Sequence, residues 1–321
     1  MESLGDIMKQ LPLSGRRAQA EQKMAEMLED PLIMQFRSKY PWLDDRTLRI
    51  NMSKLYQYLT EYRRCSNCPG LDNCQNDFRG HYTMLSAENV NGHALIYDRK
   101  VPCKKLTAYE RQRTIQNRVR SFYVDETAFK QGYSPEEMIR NDYERTPAVT
   151  AVMEYAVQIK ENGLQPEGLY LYGPFGTGKT YLMSYVLYEL ARVDYTGVIV
   201  YMPEFVEDLK SMFQEPQKLR DTIEMMKEAD LLVFDDIGAE NMTPWVRDHV
   251  LGSILNYRMN RKPTLYTSNY DMDGLMKHFS YTRDGEDIHK AERIMDRIRP
   301  FVNIIEVQGS NKRGNGPAPK Q

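Results

Sequence analysis

One segment, Gly173-Pro174-Phe175-Gly176-Thr177-Gly178-Lys179-Thr180, constrains the fold more than any other. It fits in full the pattern of two glycines separated by four residues and followed by Lys and Ser or Thr. Such a loop works only where a strand ends and a helix begins. The apolar run Leu169-Tyr170-Leu171-Tyr172 leads in, and Tyr181 to Ala191 leads out with helical composition. Without side chains at the glycines, backbone N–H groups can turn inward around phosphate oxygens. The N-terminus of the following helix adds its positive dipole end. Lys179 supplies a charge for the β- and γ-phosphates and Thr180 a hydroxyl for Mg²⁺. Residues 173–180 are therefore expected to bind ATP with Mg²⁺.

Further on, Leu231-Leu232-Val233-Phe234 reads as a buried strand that ends on Asp235-Asp236. In an open α/β sheet the carboxyl ends of strands face the ligand. Asp235 is expected to orient Mg²⁺ and Asp236 to polarise the attacking water. The next apolar run closes on Thr267-Ser268-Asn269, whose carboxamide can read a γ-phosphate or hold the water. Arg293, Arg297 and Arg299 cluster before the last strand, and guanidinium groups suit phosphate. Candidate strands are Gly168–Tyr172, Gly197–Met202, Asp230–Ile237, Pro263–Asn269 and Asn303–Val307. Helical stretches separate them, so an α/β fold is expected, with a five-stranded, mostly parallel sheet covered on both faces.

The chain of 321 residues has room for about two domains. Lys and Arg total 43 against 45 Asp and Glu, a balance that does not announce a nucleic-acid partner. No apolar run is long enough for a membrane span. The polar start, Met1 to Gln22, lacks the apolar stretch of a secretory signal. A cytoplasmic location follows as an expectation, and there thiols stay reduced.

The N-terminal part reads as helical to about residue 64. Asp30 before Pro31, and Asp44 or Asp45, are candidate caps. Leu48, Met52, Leu55, Leu59 and Tyr62 share one helix face. From 65 to 103 the chain is loop-rich, with short strand-like runs Tyr82–Leu85 and Ala94–Tyr97. Cys65-x2-Cys68-x5-Cys74, with Cys103 or His81 as fourth ligand, offers Zn²⁺ the N and S donors of a closed structural site. Metal binding there supplies folding energy that a short segment lacks. The expected organisation is a small helical zinc-binding domain over 1–103, a basic linker over 104–145, the ATP-binding domain over 146–313 and a flexible tail over 314–321. Tyr109, Phe122 and Tyr123 near the linker's basic residues offer stacking surfaces for single-stranded bases, although the linker reads first as simply solvated.

The motifs at 173–180, 232–238 (Leu-Val-Phe-Asp-Asp-Ile-Gly), 266–269 (Tyr-Thr-Ser-Asn) and 293–299 (Arg-Ile-Met-Asp-Arg-Ile-Arg) together resemble those of AAA+ ATPases. More narrowly they resemble the bacterial replicative-helicase loaders of Gram-positive type. By that resemblance Lys179 and Thr180 belong to Walker A, Asp235 and Asp236 to Walker B, and Asn269 is sensor 1. Arg297 would be the arginine finger, acting on ATP in a neighbouring subunit, and Arg313 lies near the sensor 2 place. The resemblance also implies that residues 1–103 contact the hexameric helicase. It further implies self-association through the ATPase domain, single-stranded DNA binding and contacts with other primosome or initiator proteins. Two features depart from the wider AAA+ pattern. Asp236 stands where a longer Glu is usual, which implies slow, partner-stimulated hydrolysis. The chain also leaves no room for a full helical lid after the sheet, as in the loaders. A transposition helper ATPase and a nucleotide-dependent adaptor with little turnover are the competing expectations.

Overall fold

In the computed structural model of the protein, residues 13–122, 124, 139, 143–212 and 214–311 are described. Arg313, Tyr123 and the 314–321 tail lie outside them. Among the described residues no helix is long and apolar enough to cross a membrane. The chain forms two compact units, which divide between Gln112 and Arg113.

The N-terminal unit has helices Leu13–Leu28, Pro31–Lys39, Asp45–Ile50 and Met52–Ser66, then an antiparallel hairpin of β1 (His81–Val90) and β2 (His93–Pro102). Asp30 caps its helix, accepting the Leu32 N–H at 2.9 Å with Pro31 in the first turn. Of the two later candidates Asp44 is the cap, accepting the Thr47 N–H at 2.7 Å. Leu48, Leu55 and Leu59 are buried with Ile33, Phe36 and Leu43, whereas Tyr62 stays half exposed. The hairpin closes this core with Leu85, Ala87 and Ile96. The unit is thus less helical than expected, with strands far longer than their apolar runs. Asn91 and Gly92 both have positive φ, 53° and 84°, as a two-residue hairpin turn requires. Buried Glu61 ties helix to hairpin, accepting from the Thr83 N–H at 2.6 Å, the Thr83 hydroxyl at 2.8 Å and the Lys100 ammonium. Burial would raise its carboxyl pKa, and these donors outweigh that, holding it below the usual range.

Where composition predicts a linker, residues 104–118 form a helix and β3 (Val119–Phe122) pairs parallel with β5 (Gly197–Tyr201). The basic residues have specific partners here. Arg118 donates to the Ala191 carbonyl at 3.0 Å and pairs with Asp194 at 2.6 Å. Together with β4 (Gly168–Tyr172), β6 (Leu231–Asp235) and β7 (Thr264–Ser268), then the small hairpin β8 (Tyr281–Thr282) and β9 (Gly285–Glu286), and finally β10 (Val302–Glu306), the second unit is complete. Its main sheet has six strands, not five, in the order β10-β4-β7-β6-β5-β3, all neighbours parallel.

Side-chain alternation builds a core on each face. Leu169, Leu171, Leu231, Val233 and Leu265 pack against helices Thr146–Asn162 and Lys179–Ala191. Tyr170, Leu232, Phe234 and Tyr266 point the other way, toward helices Met202–Met212 and Gly252–Arg258 and the π-helical turn Val246–Leu251.

Arg258 fixes the amino ends of β6 and β7. It is fully buried and donates to the carbonyls of Met226 (3.0 Å), Lys227 (3.0 Å), Ala229 (2.6 Å), Asp230 (3.3 Å) and Pro263 (2.5 Å), and to the Thr264 hydroxyl (3.0 Å). Burial pulls its pKa down to about 10, so it remains a cation at neutral pH. Arg258→Met keeps the volume and strands these acceptors. It is expected to cost roughly 3 kcal/mol or more, measured by denaturant unfolding. A cost under about 1 kcal/mol, the usual worth of one neutral hydrogen bond, would show that solvent replaces the guanidinium.

Candidate functional site

The carboxyl ends of β4, β6 and β7 meet at a cavity of about 290 Å³ lined by Phe175, Gly176, Gly178, Lys179, Thr180, Tyr181, Tyr201, Asp235, Asp236, Thr267 and Asn269. β4 runs into the loop 173–178, and the helix Lys179–Ala191 starts directly after left-handed Gly178 (φ 90°). A Cβ on Gly178 would sit 3.3 Å from an Arg145 guanidinium nitrogen, and one on Gly176 would overlap the Asn311 carboxamide. Those side-chain ends can move aside, so it is the left-handed backbone, φ 75° at Gly176 and 90° at Gly178, that requires glycine.

Lys179 is buried, and its ammonium donates to the carbonyls of Gly173 and Pro174 and to Asn269 Oδ1, each at 2.9 Å. Asn269 Nδ2 in turn donates to Asp236 Oδ1 at 2.7 Å. A continuous polar chain thus joins the loop lysine, the β7 carboxamide and the second carboxylate. A second chain lies beneath it. The Thr180 hydroxyl donates to Asp235 Oδ1 at 2.8 Å, and the Thr267 hydroxyl reaches the same oxygen at 2.7 Å while accepting the Asp236 N–H at 2.8 Å. Thr180 and Asp235 present the oxygen donors that Mg²⁺ takes. Burial raises the Asp235 pKa and the Asp236 charge adds to it, while the Thr267 and Thr180 hydroxyls and Lys179 pull it down. The net is upward, as for a buried carboxylate short of positive charge. A divalent cation between these oxygens would supply that charge.

Pro174 and Thr177 complete the loop, with the Thr177 hydroxyl donating to the Pro174 carbonyl at 3.1 Å. The expected nucleotide residues therefore gather at one place. Arg297 does not join them. It lines a separate cavity of about 480 Å³ with Lys290, Arg293, His249 and Asp248. Arg299 is engaged elsewhere, 2.6 Å from Asp273. Thr267 has no site role in the sequence reading, yet it bridges both aspartates. Its signal is register: Phe234 pairs with Tyr266, so Asp235 and Thr267 fall side by side. Arg145 and Asn311 carry no local signal, because only the fold brings them to the loop.

The thiols of Cys68, Cys74 and Cys103 all lie close enough to Cys65 to add to the burial that raises its pKa, but the zinc expected at these four cysteines is not shown. Among the described residues no three His, Cys, Asp or Glu side chains are placed to hold a metal ion. Three of the sulfurs accept from local N–H donors. Cys65 Sγ accepts from Asn76 Nδ2 at 3.3 Å, Cys74 Sγ from the Gly80 N–H at 3.3 Å and Cys103 Sγ from the Leu106 N–H at 3.4 Å. The Gly70 N–H holds the Cys68 thiol pKa down, and burial raises that of Cys65. His81 is turned to the Arg79 carbonyl, its Nδ1 at 3.1 Å.

The family model described as primosomal protein DnaI N-terminus matches residues 1–93, and that described as AFG1-like ATPase matches residues 107–309. The chain is 34% identical to the replicative helicase loader DnaI of Bacillus subtilis over 296 residues, 91% of this chain and 93% of the relative. A crystal structure of DnaI superposes with a TM-score of 0.52 at 35% identity, covering 62% of this chain and 99% of that one. A putative primosome component from Streptococcus pyogenes gives 0.50 at 27% identity, covering 62% and 98%.

Asp235→Asn removes a carboxylate that burial penalises. The nucleotide-free melting temperature is expected to hold or to rise by about 2–4 °C, while the stabilisation by ATP that depends on Mg²⁺ disappears. Thermal unfolding with and without ATP and Mg²⁺ checks this. Lower nucleotide-free stability with the ATP shift intact would make Asp235 a structural acceptor only.

Proposed function

Because the chain belongs to the DnaI family of replicative helicase loaders, we propose that it places the hexameric replicative helicase on single-stranded DNA in an ATP-controlled step of cytoplasmic DNA replication. The observation that carries this is the extent of the 34% identity, which spans 91% of the chain and so includes both units. A transposition helper would share only the ATPase part.

Residues 173–180 would hold ATP, with Lys179 toward its β- and γ-phosphates, and Thr180 and Asp235 would hold Mg²⁺. Asp236 polarises the attacking water, and Asn269 bridges it to Lys179 and senses the γ-phosphate. The 2.9 and 2.7 Å contacts of Asn269 support that role. Arg297 acts on a neighbouring copy's ATP, which its placement outside the cis cavity supports. Hydrolysis is slow and partner-stimulated, since the short Asp236 carboxylate reaches less far than a Glu. An adaptor with little turnover is the second reading, favoured by that same residue. Phosphate release measured with and without helicase and single-stranded DNA separates the two.

The domain assignments carry over with one change. Residues 1–103 hold the helicase, the ATPase spans 146–313 together with the strand 119–122, and other primosome or initiator proteins meet the assembled loader. The cysteine module belongs to the same proposal as a structural zinc site. The N–H donors aimed at its sulfurs suit thiolates. One zinc per chain in purified protein is expected, and protein that folds and binds helicase without metal overturns it.

Lys179→Ala is expected to abolish ATP binding and loading while helicase capture persists. Parallel loss of both would contradict the division between units. Arg297→Ala is expected to keep ATP affinity and to lose assembly-stimulated turnover by at least about tenfold, below the roughly 10³-fold that such arginines supply in faster enzymes. Unchanged turnover in the assembled state rejects the finger.

A further inference from the structure

The turn after β6 carries strain next to the chemistry. Asp236 has φ 56° and Gly238 φ 100°, both left-handed. A Cβ at Gly238 would meet the Tyr270 ring at 2.8 Å, so the ring or the turn would have to shift. Such backbone persists only when its surroundings over-determine it. On one side β7 does this. Ile237 N–H donates to the Thr267 carbonyl at 2.9 Å and the Ser268 hydroxyl to the Ile237 carbonyl at 2.6 Å.

On the other side stands Glu240. Its Oε2 accepts the Gly238 N–H at 2.7 Å, and its Oε1 lies 3.0 Å from His278 Nε2. The Glu240 side chain is fully buried. His278 comes from the helix Met272–Ser280, and its ring stacks on Tyr270 with centroids 6.3 Å apart and planes at 21°. Tyr270 follows Asn269, and its carbonyl accepts the Tyr170 hydroxyl at 2.7 Å. Asp236 and Asn269 touch each other at the nucleotide cavity, and the backbones beyond both lead into Glu240, His278 and Tyr270. None of these three lines the cavity. A buried carboxylate is costly unless paired and hydrogen-bonded. Here each of its oxygens has a partner, and each partner belongs to a segment carrying a cavity residue.

We propose that Glu240 and His278 are positioning residues for hydrolysis. Together they lock the turn 236–240 to the segment 269–278, so that the Asp236 carboxylate and the Asn269 carboxamide converge on the attacking water. This rests on Asp236 polarising that water. Neither residue contacts nucleotide, so their loss is felt in the chemical step and not in binding.

The test uses the full-length chain with helicase and single-stranded DNA. Phosphate release gives turnover, a fluorescent ATP analogue gives affinity, and hydrogen exchange follows the 236–240 segment. For Glu240→Ala, turnover is expected to fall between about tenfold and a hundredfold, with nucleotide affinity within about twofold and faster exchange over 236–240. Glu240→Gln retains an oxygen for the Gly238 N–H. It is expected to keep turnover within about threefold and near-normal exchange. His278→Leu, which removes the donor at similar volume, repeats the Glu240→Ala pattern and serves if that variant fails to fold. Equal loss of affinity and turnover, unchanged turnover, or a Gln variant as impaired as the Ala variant each overturns the proposal. Asp236→Asn is the reference. Wild-type turnover in it removes Asp236 from the chemistry, while the Ala-against-Gln contrast still reports whether Glu240 positions Asn269. If the wild-type chain shows no turnover, the exchange contrast in the ATP-bound state decides.

Discussion

Asn269 meets the Lys179 ammonium at 2.9 Å and the Asp236 carboxylate at 2.7 Å, and those contacts exist only because three parallel strands end level. Tyr172 pairs with Ser268, and Phe234 with Tyr266. The residues just past those pairs therefore rise from the same edge of the sheet. A slip of one residue would turn each side chain to the opposite face. Arg258 secures the opposite, amino ends of β6 and β7 by gathering the carbonyls that flank them. The nucleotide site and this buried guanidinium are thus two ends of one register.

The site is electrostatically costly as it stands. Lys179 and Asp235 are both buried, and the Asp235 pKa is pushed up by desolvation before anything offsets it. Asp236 is held at a φ that few non-glycine residues adopt. Mg²⁺ would bring positive charge to Asp235, and a triphosphate would bring further acceptors to the Lys179 ammonium. Stability is given up here and recovered in the two apolar layers of the sheet, where Phe234, Tyr266 and Tyr170 form one continuous aromatic row.

The N-terminal unit follows a different logic. Its core is small, and a buried carboxylate, Glu61, does the joining that a larger apolar interface would do in a bigger domain. The hairpin covers Leu55 and Leu59 and adds Leu85, Ala87 and Ile96 to the same core. Arg297 belongs to neither the cis cavity nor this unit. In the proposed assembly it completes a site that one chain leaves open.

The phosphate loop, its flanking strand and helix, the Asp235-Asp236 and Asn269 edge and the Asp30 cap were all legible, because each is written in adjacent residues whose chemistry is local. Five strand positions fell within two residues of their observed ends for the same reason. The sixth strand, β3, was hidden because its alternation is short and sits among basic residues that read as linker. The hairpin was under-read because Glu88, Asn89, Asp98 and Arg99 face solvent and broke the apolar runs, although Asn91-Gly92 marked its turn. Arg145, Asn311 and the Glu240–His278 pair could not be read at all, and Thr267 only once the strand register is known. Their roles depend on partners far along the chain, and distance in sequence becomes contact only when strand register and helix packing set it. Sequence alone therefore determined that a parallel sheet with a glycine-rich loop would form and which residues would gather at its carboxyl edge. The tertiary structure decided what holds those groups still, because burial and the matching of donors to acceptors are properties of the packed chain.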